Sequence, residues 1–294
     1  MSHIVTLIAN PARPVLDAAL AARAADAIGA RAMDWLAPGI AVDLSVDRPA
    51  AGIDALTEAL GAAPVDRVVQ PADATGRRKK MLLADMDSTM IGQECIDELA
   101  AEAGIKDKIA AITARAMAGE IAFEGALRER VALLEGLPAT VIDHVIASRI
   151  ALAPGARELV ATMRANGAWC ALISGGFTDF TARIAEQVGF DEHRANRLVH
   201  KDGRLSGTVH EPILGRQAKA EALLDIAARH GLTPADAIAV GDGANDLGML
   251  ELAGFGVAMH AKPAVAEQAA MRVDHGDLTA LLYIQGYRAD EIVG

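Results

Sequence analysis

The chain is short of cysteine, of aromatic side chains, of cations and of long apolar runs, and each shortage removes a class of protein. Cys95 and Cys170 are the only cysteines in 294 residues. Two are too few for a disulfide framework or a cysteine zinc site, and a reducing, cytoplasmic setting is expected. Aromatic residues make up 3%, so a core has to be built from Ala, Val, Leu and Ile. Lys and Arg number 28 against 39 Asp and Glu, a formal net charge of −11. That balance argues against a nucleic-acid surface, which needs clustered cations to displace counterions. It argues equally against a polybasic membrane anchor. No apolar run reaches the ~18 residues needed to span a bilayer. The segment from Met1 to Pro14 carries no cationic start and no cleavage pattern, so no secretory signal is expected there. The His residues show no H-E-x-x-H or other metal spacing.

What the chain does have is 52% apolar residues, too many for disorder, in a length suited to about two domains. Residues 1–75 read as a small α+β unit. Strands are predicted at Ile4–Ala9, Ala32–Ala37, Ile40–Val46 and Val65–Val69, and helices at Val15–Ile28 and Ile53–Leu60. The order β-α-β-β-α-β matches a ferredoxin-like split. Pro71 to Lys80 reads as a linker, and its run Arg77-Arg78-Lys79-Lys80 as a solvated boundary rather than a nucleic-acid contact.

From residue 76 onward the pattern is different. Met81–Ala84, Trp169–Ile173, Ala237–Val240 and Phe255–Met259 are continuous apolar runs, as expected of strands covered on both faces. Helical segments separate them, at Ala156–Asn166, Asp179–Val188, Gln217–His230 and Asp246–Leu252. The prediction is a doubly wound parallel α/β sheet. Residues 92–150 are helical throughout, with breaks at Gly104, Gly119 and Gly136, and read as a cap inserted after the first strand. Leu198–Val209 reads as a β-hairpin.

Ligands of open α/β sheets bind beyond the carboxyl ends of the strands. The residues found there are Asp85-Met86-Asp87-Ser88-Thr89, Ser174-Gly175-Gly176, and Gly241-Asp242-Gly243-Ala244-Asn245-Asp246. Lys219 stands near the start of the helix before the third block. Ser174 with the Gly pair suits a phosphate held by backbone N–H groups, with a helix cap as the lesser alternative or a second role for Ser174. Clustered Asp would repel a phosphate, so a hard cation such as Mg²⁺ is implied. Lys219 would neutralise charge on a transferring group, and an Asp can serve as nucleophile. Gly241-x-Gly243 starts like a dinucleotide fingerprint, but Asp246 at the sixth position would repel a pyrophosphate. No P-loop is present. Read alone, Lys219, Glu94 and Arg130 are ordinary surface charges, and the two Cys small buried apolar residues.

Taken together, in order, these blocks resemble the haloacid-dehalogenase-like phosphatases. Asp85 to Thr89 is similar to their DxDST signature, and Ser174, Lys219 and Asp242–Asp246 to their second, third and fourth motifs. Gly92 to Ala100, Phe123 with Leu127–Val131, Ile173–Phe177 and Ala195–Leu198 resemble segments of the phosphoserine phosphatases within that family. The resemblance runs from about Lys80 to the C-terminus, with Cys95 standing where Thr is common. It implies Asp85 as nucleophile and Asp87 as general acid and then base. It implies Mg²⁺ on Asp85, Asp242 and the backbone carbonyl of Asp87, with Asp246 supporting the metal shell or Lys219. It places Ser174, Gly175, Lys219 and Asn245 at the phosphate, Glu94 at a substrate ammonium, Arg130 at its carboxylate, and Met117 and Phe123 in the cap lining.

The expected activity is hydrolysis of O-phospho-L-serine. The nearest competing reading is a phosphatase or phosphotransferase for another small phosphomonoester. A non-catalytic amino-acid sensor is the competitor from another class, suggested by the resemblance of the N-terminal unit to ACT regulatory modules. That likeness also makes a serine effector and a homodimer the expected partners, with no nucleic acid and no membrane.

Overall fold

The computed structural model describes residues 2–47, 53–72, 76–117 and 120–294, and only the backbone of Ile53 and Met117. The predicted helix break at Gly119 lies outside the described residues. The N-terminal unit has the expected order: β1 (His3–Ala9), α1 (Ala18–Ile28), β2 (Ala32–Ala37), β3 (Ala41–Val46), α2 (Ile53–Leu60) and β4 (Val65–Pro71). Its four strands form an antiparallel sheet in the order β2-β3-β1-β4. Local chemistry sets the limits of α1. Asp17 accepts the N–H of Leu20 at 2.7 Å as N-cap, and Gly29 ends the helix in a left-handed conformation, φ 62°.

The larger part begins with β5 (Met81–Ala84). The cap follows it as α3 (Cys95–Glu102), α4 (Lys106–Met117), α5 (Phe123–Ala132) and α6 (Thr140–Arg149). The chain then runs α7 (Ala156–Ala165), β6 (Trp169–Phe177), α8 (Thr178–Val188), β7 (Glu192–Asn196), β8 (Leu198–Lys201), β9 (Arg204–Val209), α9 (Arg216–Arg229), β10 (Ala237–Gly241), α10 (Leu247–Leu252), β11 (Phe255–Met259), α11 (Pro263–Ala266), β12 (Met271–Val273) and α12 (Ala280–Ile284). Six of these strands make a parallel sheet in the order β12-β11-β10-β5-β6-β7. The apolar run of β5 has the physical cause inferred from it. Leu82 and Ala84 pack into one core, and Met81 and Leu83 into the core on the opposite face.

Two strands were not predicted, β7 and β12, and both lie at sheet edges. Edge strands need less apolar cover, and β7 carries Glu192, His193 and Arg194, so neither shows an apolar run. A second difference concerns β6, which continues through Ser174-Gly175-Gly176 to Phe177 where the sequence suggested an end at Ile173. Helix α8 starts only at Thr178, with Phe177 as its N-cap residue, so Ser174 caps no helix.

Backbone bonds tie the cap to the β8–β9 hairpin. Gly136 N–H donates to Leu205 O, Leu205 N–H to Leu137 O and Ala139 N–H to Gly203 O, each at 2.9 Å. The far end of α5 is thereby anchored to the core while its start overhangs the sheet edge.

The basic run before β5 is not the solvated boundary expected from sequence. Arg77 reaches into the seam between the two parts. It donates to both oxygens of Asp43 at 2.6 and 3.0 Å, to Thr6 at 3.2 Å, and to the carbonyls of Tyr283 and Ile284 at 3.3 and 3.0 Å. Arg78 forks onto Glu291 and lies over the Tyr287 ring, and Lys79 lies over Phe255. Ile8, Leu36, Ala41 and Val68 of the N-terminal sheet share a continuous core with Leu281 and Tyr283. Nothing in the sequence distance of 34 residues between Asp43 and Arg77 announces this pairing. Replacing Arg77 by Met strands the Asp43 carboxylate, a loss of about 3 kcal/mol for a buried pair broken on one side. Thermal and urea unfolding should show that loss, and an unchanged midpoint would contradict the role of this bolt.

Candidate active site

Three neighbouring strands, β10, β5 and β6, deliver Asp242, Asp85 and Ser174 to one edge of the sheet. Asp85 directly follows β5, and its N–H donates to Val240 O at 3.0 Å. The chain then turns through Met86–Met90, where Asp87 is extended and Ser88 is left-handed at φ 55°. This turn separates the two carboxylates that the sequence placed two residues apart.

Lys219, on the first turn of α9, points into the sheet edge and is 3% exposed. Its Nζ lies 2.7 Å from Asp85 Oδ1 and 2.6 Å from Asp246 Oδ1. Asp85 Oδ1 also accepts the N–H of Met86 at 2.7 Å. Both bonds fall on the same oxygen, and Oδ2 takes neither. Asp246, fully buried, accepts the N–H of Gly243 on Oδ2 at 2.9 Å. Its side chain folds back over Gly241, where a Cβ would come within 2.3 Å of the Asp246 Cγ. A Cβ on Gly243 would come equally close to Asn245 Oδ1. The two glycines therefore make room for Asp246 and Asn245, not for a pyrophosphate.

Charge in this site is tightly constrained. Burial pushes the Asp85 carboxyl well above the usual range, and Lys219 opposes that shift. Burial also raises Asp242. Burial works against the Lys219 ammonium, but Asp85 and Asp246 outweigh it and hold the group charged. Asp85, Asp242 and Asp246 each offer an oxygen within 4.8 Å of the others. Two ammoniums, the buried Lys219 and the exposed Lys262 at 3.7 Å from Asp242, do not balance three carboxylates. A set of hard oxygen donors with excess negative charge fits a divalent cation.

Asp87 stands beside this cluster. Its carboxylate accepts the N–H of Cys95 at 3.0 Å. Burial first, and Glu94 second, push its pKa up to about 6. A Cβ on Gly176 would lie 3.0 Å from Asp87 Oδ2 and 3.1 Å from Ser174 Oγ, so this glycine keeps the space between the two open. Ser174, buried on β6, accepts the N–H of Gly176 at 2.9 Å, which leaves its hydroxyl proton free to donate to a ligand.

The cap closes the site from above. Glu94 precedes α3 and accepts the Ser88 hydroxyl at 2.8 Å. Burial lowers the Arg130 pKa, against the pull of Asp97, Glu94 and Asp87, so the guanidinium shares their field. Phe123 at the start of α5 sits over Gly175, 3.4 Å from where its Cβ would be. Met117 ends α4, and its side chain lies outside the described residues. Every other candidate from the sequence thus converges on this edge.

Three residues were missed. Asn196, at the end of β7, donates to Gly175 O at 2.9 Å and accepts Leu214 N–H at 2.7 Å, fixing the loop beneath the cap. Ser88 holds Glu94, as above. Lys262 donates its N–H to Asp242 O at 3.2 Å and places Nζ 3.7 Å from Asp242 Oδ2. Ser88 lay inside the first motif and Asn196 inside a quoted block, but only contacts assign them work. No signal pointed to Lys262. Among the described residues no helix is long and apolar enough to cross a membrane.

A sequence profile of the haloacid dehalogenase-like hydrolases matches residues 82–251. A phosphoserine phosphatase of Archaeoglobus fulgidus is 43% identical over 217 residues, covering 74% of this chain and 63% of that protein. The chain spans only 58% of the length of two further curated relatives. Among solved structures, a probable phosphoserine phosphatase from Vibrio cholerae is 31% identical with TM-score 0.79, covering 97% of this chain and 86% of that one. A phospho-aspartyl intermediate analogue of phosphoserine phosphatase is 41% identical with TM-score 0.65, covering 70% and 98%.

The buried Lys219 gives the site a stability signature. Lys219→Met leaves Asp85 and Asp246 without their counter-charge, which costs about 3 kcal/mol for a buried pair broken on one side. The folded pKa of Asp85, already raised by burial, then rises further above the unfolded one, so the deficit is largest at neutral pH and narrows as the pH falls and that carboxyl takes up a proton. Urea titrations in chelator at pH 7.5 and pH 5 check this, and a deficit that grows on acidification would contradict it.

Proposed function

The chain belongs to the haloacid dehalogenase-like hydrolase family, and from that premise we propose that it hydrolyses O-phospho-L-serine to L-serine and inorganic phosphate. The observation that carries the choice of substrate is that an acid, Glu94, and a guanidinium, Arg130, both lie within electrostatic reach of Asp87. An acid and a guanidinium beside a phosphate site read an amino acid by its ammonium and its carboxylate. Named relatives with the same activity support the same choice.

Asp85 Oδ2 attacks phosphorus while Lys219 and Met86 N–H hold Oδ1 and so aim the carboxylate. Asp87, with a pKa near 6, gives its proton to the departing seryl oxygen, then takes one from the water that cleaves the aspartyl-phosphate. The Ser174 hydroxyl, the Gly175 backbone and Asn245 bind the phosphate oxygens, and Lys219 offsets their charge. Asp85, Asp242 and the backbone carbonyl of Asp87, supported by Asp246, would hold Mg²⁺, which would screen the phosphate from these carboxylates. Phe123, over Gly175, shields the serine from water.

We assign residues 1–75 to an accessory unit and 76–294 to the phosphatase with its cap. The accessory unit suits a serine effector. Its edge strand β2, exposed at Ala32, Met33 and Asp34, suits pairing of two copies in a homodimer.

The first test is phosphate release from L-phosphoserine. Wild type should be active with Mg²⁺, and chelation or Asp85→Asn should reduce turnover at least about 10³-fold, as expected for loss of a nucleophile. Activity that survives either change would sink the mechanism. The second test separates substrate readers from chemistry. Glu94→Gln and Arg130→Met should each lower kcat/KM for phosphoserine by about 10- to 100-fold, the worth of a charge-assisted contact. Both should leave turnover of an aryl phosphate nearly unchanged, and equal losses on both substrates would refute the assignment.

A further inference from the structure

The N-terminal sheet grips the phosphatase at a second point, on the same sheet edge as the site. Asp66, on the edge strand β4 and 4% exposed, turns its carboxylate onto the loop after β12. It accepts the N–H groups of Asp274 at 2.7 Å, His275 at 3.1 Å and Gly276 at 2.7 Å. Asn10 adds a bond from its Nδ2 to His275 O at 2.9 Å. A carboxylate that takes three consecutive N–H groups fixes the path of that backbone, because moving any one strands a buried donor.

The same loop braces the residue that follows β11. His260 donates Nε2–H to Gly276 O at 2.9 Å and its backbone N–H to Val273 O at 2.8 Å. It is left-handed, φ 45°, a conformation that a non-glycine residue keeps only where its surroundings hold it. Two residues on, Lys262 makes the backbone and ammonium contacts to Asp242 already described. A path of hydrogen bonds, joined by the two-residue stretch of chain from His260 to Lys262, therefore runs from β4 through residues 274–276 to one of the three clustered acids.

We propose that Asp66 is a positioning residue for Asp242, so that the N-terminal sheet sets the geometry of the cation site rather than standing apart from it. This rests on the reading of Asp85, Asp242 and Asp246 as a cation site. Metal ligands held by outer contacts bind more weakly when those contacts are lost, and Asp66 is the only carboxylate from the N-terminal sheet bonded to the 274–276 loop among the described residues.

The test is direct binding of Mn²⁺ to the full chain, read as the disappearance of the free-ion electron paramagnetic resonance signal. Asp66→Ala should weaken Mn²⁺ binding roughly five-fold, within the range of coupling carried by remote residues, and Asp66→Asn, which keeps an acceptor, should recover part of that. His260→Ala should weaken it in the same direction with the N-terminal contacts of Asp66 intact, and it decides the matter alone should Asp66→Ala not fold. Arg77→Met loosens the same sheet elsewhere, so it should lower the unfolding midpoint and leave Mn²⁺ affinity unchanged. Wild-type affinity in His260→Ala and a folded Asp66→Ala, or equal weakening by Arg77→Met, overturns the proposal while the cation site stands. A wild-type chain that takes up no Mn²⁺ overturns the cation site itself, and this proposal with it.

Discussion

Everything at the sheet edge depends on one buried ammonium. Lys219 sits between Asp85 and Asp246 with no more than 2.7 Å to either. Without it, two carboxylates would face each other in a dry pocket, where like charges cannot both stay ionised. With it, Asp85 keeps one oxygen bound and the other open, and Asp246 is held against Gly243. The glycine at 241 follows from that arrangement, since a Cβ there would strike Asp246. Helix α9, which packs Leu223 and Ile226 into the core, is held at its first turn by the same contact that sets the environment of Asp85.

The site still carries more acid than base, and that surplus organises what lies around it. Asp242 and Asp87 are both raised by burial, and Glu94 adds to the field on Asp87. The proposed cation and anionic phosphate would relieve the surplus together, where either alone would leave a buried imbalance. The net charge of −11 thus has a small functional part. Five acids form the pocket, while Asp43 and Asp66 serve as bolts between the N-terminal sheet and the part built on the six-stranded sheet.

Those bolts change the picture of the accessory unit. A ferredoxin-like unit joined by a polar linker reads as a separable module. Arg77 and Asp66 instead fasten it at two places, and its sheet shares apolar core with α12. Buried polar contacts of this kind specify one docking geometry more than they add stability. The cap is held in a comparable way, by backbone bonds from its α5–α6 connection to a hairpin of the core.

Strand ends and glycine-flanked acids were readable from the chain alone, because a buried parallel strand must be apolar and the ligand side must start where the apolar run stops. That logic located Asp85, Ser174 and Asp242, the order of the blocks drew in Lys219, and only the family resemblance singled out Glu94 and Arg130. Contacts made by ordinary residue types were not readable. Arg77 looks like any basic linker residue until Asp43, 34 positions earlier, closes on it. Lys262 and Asp66 have no local pattern, and Asn196, though within the Ala195–Leu198 segment, shows its work only through the backbone groups that the fold brings near. Periodicity and composition report how a segment is buried. Which distant backbone a polar side chain meets is decided only when the two sheets and the cap are packed together.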